Sequence, residues 1–321
     1  MSAATRNGGA PPDYDAIVIG GGPAGLSAAL YLGRARRRTL VLDAGRPRNS
    51  PSPAAHGVFT RDGTPPGELL AEARRQLAAY PTVELQETEA VAAFAEPNGY
   101  TVRLQDGSEA RARRLLLACG VRDELPPIPG LAENWGTSVL HCAYCHGYEV
   151  ADQPLALYAR GQDAMESAAS LFPLSRDLLL CTDGPSGLTT ADRQRLEGRG
   201  VGIVEAGILR VSGTSSQLAL HFADCSTVMR RAIFVNTTLH PASRLPVELG
   251  CKLDGPSRLV VGANWETTVP GVYAAGDVAA PRKQAVVAAA SGAEAAMALN
   301  GALVREDFEG ESSGYATRPD L

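Results

Sequence analysis

Short apolar runs, each followed by a turn and then a segment suited to a helix, recur along this chain. The first run lies at residues 15–19 (DAIVI) and leads through a glycine-rich turn to a helix that starts near Pro23; the next apolar run covers Thr39 to Leu42. Short apolar strands that alternate with helices are typical of a parallel sheet in an α/β protein. Residues 15–42 are therefore predicted to form a strand, a helix and a second strand.

The same layout returns in the middle of the chain. The segment from Pro154, PLALYARGQDAMESAASLFPLSRDLLLCTDG, predicts a strand at 155–158, a helix from about Ala164 and a strand at 177–181. A chain of 321 residues is also longer than a single core usually supports, which favours two domains. We therefore expect an α/β fold with two units of the same type.

Two further apolar segments frame the second unit. A strand at 115–119 runs into a proline-rich connector that starts near Arg122, a suitable place for the chain to cross between domains. Near the end, a strand leading to Gly276 and Asp277 precedes a helix of small residues, predicted from about Gln284 to Leu299. Small side chains allow such a helix to lie close to a strand or a flat ligand.

Charge and composition exclude several classes of function. The net charge of −5, without any cluster of basic and aromatic residues, argues against a nucleic-acid partner. The first residues, MSAATRNGGAPPDYD, lack the apolar core of a secretory signal and are predicted to be a disordered lead. No apolar stretch of about 18 residues is free of charged or turn residues, so no membrane contact is expected. The protein is predicted to be cytoplasmic.

The first turn carries a dinucleotide-binding pattern. Gly20, Gly22 and Gly25 form G-x-G-x-x-G between a strand and a helix, where the glycines allow a tight turn, close approach of a pyrophosphate and close helix packing. Asp43 follows Gly20 by 23 positions, where a carboxylate accepts hydrogen bonds from an adenosine ribose. This context makes residues 15–43 a candidate dinucleotide site.

The second turn is poorer. Ala159 and Ala164 take the places of the first and third glycines, and only Gly161 remains. The strand that follows ends in Thr182-Asp183-Gly184, without an arginine pair for a 2′-phosphate, which disfavours NADPH and leaves weak NADH binding open through Asp183. Either this unit binds a nucleotide poorly or it keeps the fold as a scaffold; the scaffold is the favoured interpretation.

The stretch HCAYCHGYE, residues 141–149, is the clearest chemical motif. Its spacing fits covalent haem attachment, zinc binding or dithiol/disulfide exchange. Haem attachment requires export, for which no signal is found, and no further pair of zinc ligands is present. A redox pair of Cys142 and Cys145 is therefore predicted. The isolated cysteines are expected to be small buried apolar residues: Cys119, Cys181, Cys225 and Cys251.

Taken together, these motifs resemble a known family. GGGPAG, A-C-G at 118–120, C-A-Y-C, G-V-Y-A-A-G-D and R-K-Q-A occur in the order and spacing of low-molecular-weight thioredoxin reductases, over about residues 13–308. The resemblance implies two Rossmann-like dinucleotide-binding domains. Residues 1–120 and 242–321 would form a discontinuous FAD domain, and residues 121–241 an inserted domain of the NAD(P) type that carries C-x-x-C. It also implies a homodimer.

The resemblance assigns residues to FAD. The glycine turn would hold the pyrophosphate, Asp43 the ribose and Asp277 the ribityl chain, while Gln284 and Ala285 would lie at a helix N-terminus beside the flavin. Arg48, Asn49 and His56 are candidates for the flavin pocket, although a surface position is an equal alternative for His56. The full set implied for FAD is Gly20, Gly22, Pro23, Ala24, Gly25, Asp43, Arg48, Asn49, His56, Ala118, Gly276, Asp277, Gln284 and Ala285.

The departures from the reductases favour another activity. Thioredoxin reductases have a complete second turn, a basic cluster after the next strand, and Asp directly after the second cysteine, where this chain has His146. These features resemble a sub-group of dithiol oxidases, which close disulfides in natural products such as gliotoxin, holomycin and romidepsin. The predicted function is oxidation of a small-molecule dithiol by Cys142 and Cys145 with FAD, O2 being the final acceptor and H2O2 its product.

Such a reaction needs thiolates and a base. C-x-x-C at the start of a helix favours thiolate, and histidine titrates near neutral pH. His146 is the first candidate for the base and His141 the second; the alternative for both is a purely structural role. Two other functions remain open: a disulfide reductase driven by NAD(P)H or a protein, and a non-catalytic flavoprotein redox sensor.

Overall fold

A computed structural model describes residues 12–310, and the elements below are numbered along that part of the chain. The strands are β1 Tyr14–Ile19, β2 Thr39–Leu42, β3 Val83–Gln86, β4 Ala90–Glu96, β5 Gly99–Leu104, β6 Glu109–Leu117, β7 Val121–Glu124, β8 Val139–Leu140, β9 Leu155–Tyr158, β10 Leu178–Cys181, β11 Gly202–Val204, β12 Ile208–Thr214, β13 Gln217–Phe222, β14 Thr227–Arg230, β15 Ala232–Val235, β16 Thr238–Pro241, β17 Leu253–Asp254, β18 Arg258–Leu259 and β19 Val272–Ala274. The α-helices are α1 Pro23–Arg34, α2 Pro66–Leu77, α3 Ala143–His146, α4 Gly161–Leu171, α5 Thr190–Glu197, α6 Leu245–Glu248 and α7 Ala285–Gly310.

The described residues fall into two compact units. The first consists of residues up to 47, 67–122 and from 240 onward, and the second of 48–66 and 123–239. The boundaries predicted from the sequence lie at 120/121 and 241/242, with the loop 48–66 in the first domain. In the structure this loop belongs to the second unit, where it contacts residues around the cysteine pair. Most of the predicted N-terminal lead, and the chain after 310, lie outside the described residues.

The first unit is built on a mixed sheet in the order β3-β2-β1-β6-β5-β4. The carboxyl half of β6 pairs with β1 and β19 in parallel, while its amino half pairs with β5 antiparallel. Alternating residues of β1 enter two separate cores, because successive side chains of a strand point to opposite faces. Ile17 and Ile19 lie in one core, and Ala16 and Val18 in the other, beneath α1 and α7.

The helices α1 and α7 pack closely because small residues face each other. A Cβ on Gly292 of α7 would stand 2.0 Å from the carbonyl oxygen of Ala24 in α1, so any larger residue there would force the helices apart. By length and composition α7 is apolar enough to cross a membrane. Its residues Ala288, Ala295 and Leu299 are buried against the sheet and α1, so α7 is a core helix of the first unit.

The second unit contains a parallel sheet in the order β11-β10-β9-β15-β8, and an antiparallel sheet in the order β12-β13-β14. The apolar residues of β9 and β10 are fully or almost fully buried: Leu155, Ala156, Leu157, Leu178, Leu179, Leu180 and Cys181. A parallel strand covered on both faces needs such a continuous apolar run. The parallel sheets and the two dinucleotide-type units confirm the predicted α/β fold class.

Most of the predicted elements are confirmed, with differences at their ends. The strands β2 and β9 have the predicted limits, and α1 begins at Pro23. The helix α4 begins at Gly161 rather than near Ala164, and α7 continues to Gly310 rather than ending at Leu299. The strand predicted at 115–119 ends at Leu117 and leads into β7.

Candidate active site

The two cysteines of C-A-Y-C form a disulfide at the start of a short helix. Cys142 is the N-cap of α3, and its Sγ accepts a hydrogen bond from the backbone N–H of Cys145 at 3.1 Å. An N–H group that points at sulfur stabilises negative charge there, as helix N-termini do for reactive cysteines. The sequence therefore predicted correctly that the pair begins a helix, and the arrangement suits thiol/disulfide exchange.

A buried ion pair lies beside the helix that carries the disulfide. Arg48 donates from Nε and Nη2 to the two carboxylate oxygens of Asp123 at 2.6 and 2.8 Å, and Thr237 Oγ1 donates to Oδ1 at 2.7 Å. Burial opposes ionisation of Asp123, but the hydrogen bonds and charge of Arg48 hold the pKa of its carboxyl below the ordinary value. Asp123 is thus a buried anion with a fixed partner.

His141 contacts this pair through one ring nitrogen. Its Nε2 lies 3.3 Å from Nη2 of Arg48, and its ring stacks on Trp135 with centroids 5.4 Å apart. Burial, reinforced by the charge of Arg48, lowers the pKa of His141 to about 4. Since a guanidinium can only donate, Nε2 of His141 accepts from Arg48 and carries no proton. The ring is therefore neutral, and its basic nitrogen is already occupied.

His146 lies in a different hydrogen-bonding environment. Its Nε2 is 2.9 Å from Oγ of Ser52, while its Nδ1 is buried and has no hydrogen-bond partner among residues 12–310. Burial lowers the pKa of His146, with Glu149 opposing and His56 reinforcing the shift. The imidazole therefore favours its neutral form near pH 7, as a general base requires.

The loop before α2 supplies other predicted residues to the same unit. Nε2 of His56 lies 3.3 Å from Glu149 Oε1, and its Nδ1 lies 3.6 Å from Asp62 Oδ2. The carbonyl of Asn49 accepts a hydrogen bond from the backbone N–H of Ser52 at 3.0 Å, which closes the turn that presents Ser52. The structure thus brings Arg48, Asn49 and His56 together with the cysteine and histidine motif.

The glycine turn of the first unit has the form that a pyrophosphate site requires. A Cβ on Gly20 would stand 2.3 Å from the carbonyl oxygen of Ala118, and one on Gly25 would stand 1.8 Å from that of Gly20. By contrast, no heavy atom of the described chain lies within 4 Å of the Cβ position of Gly22, the N-cap of α1. Open space at the N-terminus of a twelve-residue helix, with Pro23 and Ala24 in its first turn, fits a bound phosphate.

The predicted ribose acceptor is also in place. Asp43 follows β2, is almost fully buried, and accepts from Gly45 N–H at 3.1 Å and from Arg74 Nη2 at 2.5 Å. A carboxylate has about four lone-pair sites, so Asp43 keeps acceptor capacity for two hydroxyl groups. The Nε of Arg74 is buried and has no partner within the described part of the chain, so a polar group is still needed at this point.

Hydrogen bonds between its backbone groups and two side chains hold the carboxyl-terminal motif of the first unit. Gly276 has a φ of +74°, and its N–H donates to Ser291 Oγ at 2.9 Å. Asp277 follows in a short 3-10 helix, and its carbonyl accepts from Lys283 Nζ at 2.7 Å. The carbonyl of Gln284 accepts from Ala288 N–H, and α7 begins at Ala285, so Gln284 and Ala285 lie at a helix N-terminus as predicted.

In the second unit, protein groups form hydrogen bonds across the corresponding turn. The guanidinium of Arg160 donates to the carbonyl groups of Thr182 and Asp183, at the end of β10. The N–H of Gly161, at the start of α4, donates to the carbonyl of Ser186 at 2.8 Å. In a dinucleotide-binding unit this backbone N–H faces a phosphate. One backbone N–H group at the N-terminus of α4 is thus paired with a protein carbonyl.

Asp183, the possible ribose acceptor of this unit, also has protein partners. Its Oδ1 accepts from the backbone N–H of Ile208 at 3.1 Å, and its Oδ2 accepts from the hydroxyl of Tyr158 at 3.2 Å. Arg160 lies 3.6 Å from the same Oδ2. These contacts compete with any hydroxyl group for the carboxylate.

The remaining cysteines have two kinds of environment. Burial raises the pKa of Cys119 and of Cys181 to about 12, and it also raises that of Cys251, which makes these three thiols unreactive. The prediction of a buried position was wrong for Cys225, which is exposed in the turn between β13 and β14 with a φ of +68°. Cys225 is exposed because it lies in a tight turn, and its apolar character does not outweigh this.

Sequence reasoning missed four residues of these sites. Asp123, Trp135 and Ser52 surround the two histidines, and Arg74 contacts Asp43. Ser52 and Arg48 lie more than 90 positions before the histidines that they contact. No local pattern connects residues so distant, and the loop after β2 that supplies Ser52 and Arg48 was assigned from the sequence to the flavin pocket.

Two dinucleotide-type units, one with an open glycine turn and one with a redox disulfide, define a class: disulfide oxidoreductases built on two Rossmann-like units. The chain belongs to the pyridine nucleotide-disulphide oxidoreductase family, which matches residues 14–293. It is 31% identical to thioredoxin reductase tcpT of Claviceps purpurea, over 93% of this chain and 97% of the relative.

Solved structures agree with this assignment. The structure of HlmI is 40% identical and has a TM-score of 0.87, covering 92% of this chain and 94% of HlmI. An oxidoreductase from Agrobacterium tumefaciens is 35% identical, also with a TM-score of 0.87, covering 91% and 99% of the two chains. The predicted resemblance to thioredoxin reductases is confirmed, and the protein is an FAD-dependent disulfide oxidoreductase.

Proposed function

We propose that this protein is a dithiol oxidase, which converts a small-molecule dithiol into its intramolecular disulfide and passes two electrons to O2, giving H2O2. The observation that carries the proposal is the contrast between the two turns. Both turns leave open space at the middle glycine, Gly22 or Gly161, but in the second the Gly161 N–H donates to the carbonyl of Ser186 and the Arg160 guanidinium donates to the carbonyls of Thr182 and Asp183. Electrons then have to enter through the disulfide that the chain retains.

Thioredoxin reductase tcpT and HlmI each align with more than nine-tenths of this chain and of their own length, so they share its two-unit architecture. A reductase driven by NAD(P)H would need a pyridine nucleotide bound in the second unit. A second unit that satisfies its own backbone groups at this point is therefore better suited to the oxidative direction.

The thiol chemistry follows from the disulfide. A substrate thiolate attacks Sγ of Cys142, the bond between Cys142 and Cys145 breaks, and Cys145 leaves as a thiolate. The second substrate thiolate then attacks the substrate sulfur of this mixed disulfide, and Cys142 leaves as a thiolate. The hydrogen bond from Cys145 N–H to Sγ of Cys142 stabilises that leaving group. The product is a closed disulfide, and the enzyme holds two reduced cysteines.

The first unit would hold the cofactor. The turn at Gly20, Gly22 and Gly25 suits the pyrophosphate, and Asp43 suits the ribose. Bound FAD supplies an acceptor for the electron pair of the two reduced cysteines and returns the pair to O2. The N-terminus of α7, at Ala285, suits negative charge, because the first backbone N–H groups of a helix have no hydrogen-bond partner within that helix.

Anaerobic mixing with defined reductants tests the proposal. Dithiothreitol, as a small dithiol, should bleach the flavin absorbance rapidly, whereas NADH and NADPH should leave it unchanged; admission of air should restore the colour with one H2O2 per dithiol. Cys142→Ser and Cys145→Ser should abolish bleaching by dithiol, and Cys225→Ser, which removes an exposed thiol outside the pair, should not.

Two results would contradict the proposal. Rapid bleaching by NADPH or NADH, with slow bleaching by dithiol, would favour a disulfide reductase. Slow reduction by every dithiol, together with a stable complex formed with a partner protein in one redox state, would favour a redox sensor.

A further inference from the structure

A single hydroxyl group determines which nitrogen of His146 carries its proton. Ser52 Oγ lies 2.6 Å from the carbonyl oxygen of Ala54 and 2.9 Å from Nε2 of His146. A carbonyl can only accept, and a serine hydroxyl has one hydrogen to donate. That hydrogen is used by Ala54, so the hydroxyl is an acceptor toward His146, and Nε2 is the nitrogen that bears hydrogen.

The consequence concerns the other ring nitrogen. In a neutral imidazole with hydrogen on Nε2, Nδ1 carries the free lone pair. Nδ1 of His146 is buried and is without a hydrogen-bond partner in the described chain. A buried polar atom without a partner is uncommon in native proteins, and a catalytic role is one physical reason for it. His146 follows Cys145 directly, in the helix that carries the disulfide.

We propose that Ser52 is a positioning residue, which holds His146 in the Nε2–H tautomer so that Nδ1 accepts the proton of a thiol. The inference rests on the dithiol oxidase function. In the step, the S–H bond of the substrate breaks, its electron pair stays on sulfur, and the proton moves to Nδ1, giving a thiolate and an imidazolium. The imidazolium then returns its proton to water.

The other histidine of the motif, His141, has the opposite pattern of hydrogen bonds. Arg48 donates to its Nε2, so His141 carries hydrogen on Nδ1 and has the opposite tautomer. Its basic nitrogen is engaged, which assigns the role of base to His146 and a structural role to His141. Other titratable groups near His146 are Glu149 and His56, whose Oε1 and Nε2 lie 3.3 Å apart.

The turn that contains Ser52 allows its side chain to be changed without loss of the backbone structure. The turn is closed by the backbone bond from Ser52 N–H to the carbonyl of Asn49, a bond that substitution of the side chain does not remove. Ser52→Ala should therefore remove the acceptor while keeping the backbone path, and Ser52→Thr keeps the hydroxyl and is the matched control.

The test combines a spectrum with a rate. Nitrogen-15 NMR of the histidine rings in the oxidised holoprotein at pH 7.5 should show the Nε2–H tautomer for His146 and the Nδ1–H tautomer for His141. In Ser52→Ala, but not in Ser52→Thr, His146 should become a mixture of tautomers. The single-turnover rate with dithiothreitol should fall about tenfold near pH 7 and recover at higher pH, where the thiol ionises without a base.

The NMR measurement needs no substrate, so its outcome is separate from that of the proposed function. An Nδ1–H tautomer of His146 in the wild type, or an unchanged tautomer and rate in Ser52→Ala, would overturn the inference even if the protein oxidises dithiols. The expected tautomers without any oxidation of dithiols would instead reject the proposed function and leave the tautomer assignment standing.

Discussion

Arg48 and Asp123 form a two-point ion pair, in which Nε and Nη2 of the guanidinium each donate to one carboxylate oxygen. The side chain of Asp123 is only 5% exposed, and that of Arg48 is 16% exposed. The pair joins the loop 48–66 to the strand β7 within the second unit, and it orients His141 through the same guanidinium. Its loss would leave a buried carboxylate without its charged partner.

We expect Arg48→Ala to lower the free energy of unfolding by about 3 to 5 kcal/mol, the cost typical of breaking a buried pair on one side. Urea unfolding monitored by circular dichroism would measure it. Arg46→Ala is the matched control, because Arg46 is 69% exposed in its pair with Glu89 and should lose no more than about 1 kcal/mol. Equal losses in the two variants would contradict the importance of the buried pair.

Two glycines of the first turn should respond differently to alanine. A Cβ at Gly22 meets no atom of the described chain, and its φ of −78° suits any residue. Gly22→Ala should therefore fold with an unfolding free energy within about 0.5 kcal/mol of wild type, yet be purified with little flavin, because the methyl group fills the space proposed for the pyrophosphate.

Gly25→Ala provides the contrast. Its Cβ would stand 1.8 Å from the carbonyl oxygen of Gly20, so the protein itself has to move, and stability should fall whether or not flavin is bound. The ratio of flavin to protein absorbance and the unfolding curve of each apoprotein would separate the two effects. Full flavin content in Gly22→Ala would contradict the proposed site.

The buried histidine predicts a pH dependence of stability. Burial and Arg48 lower the pKa of His141 from 6.5 to about 4, with Asp123 opposing and His146 adding to the shift. Between these values the unfolded chain binds the proton more readily, so stability is full above pH 6.5 and declines as the pH falls toward 4. The decline from His141 is at most about 3 kcal/mol.

Replacement of this histidine should reduce that decline. In His141→Gln, the free energy of unfolding should change less between pH 6.5 and 4.5 than in wild type, while the two proteins should change in parallel between pH 7 and 8. Urea unfolding at each pH would show the difference. Identical slopes from pH 6.5 to 4.5 would contradict a buried neutral His141.

The sequence predicted the central parallel strands well but not the antiparallel ones, because a buried parallel strand needs a continuous apolar run that is visible locally. The limits of β2 and β9 are examples. Helix ends were harder to predict. Asn300 and Gly301, directly after Leu299, are residue types that often end a helix. The helix α7 nevertheless continues to Gly310, and its residues Glu306 and Asp307 form ion pairs with Arg113. Tertiary ion pairs there outweigh the local preference of the chain.

The sequence predicted the chemistry of the candidate site but not which side chains contact one another there. The C-x-x-C spacing indicated a disulfide, and the histidines around it indicated a base. Which histidine keeps a basic nitrogen depends on Ser52 and Arg48, two residues that the fold brings from a loop far earlier in the chain. Local periodicity and motif spacing carry no information about such pairs.

The exposed position of Cys225 has a practical consequence for the study of this protein. Among the free cysteines of residues 12–310 it is the exposed one, whereas Cys119 is half-buried and Cys181 and Cys251 are buried; it lies in a turn. The peroxide of the proposed reaction would gradually oxidise such an exposed thiol, and alkylating reagents would label it first. Preparations would then age with turnover, and intermolecular crosslinks would be mistaken for native assembly. Cys225→Ser is therefore the appropriate background for thiol titration and for measurements of subunit association.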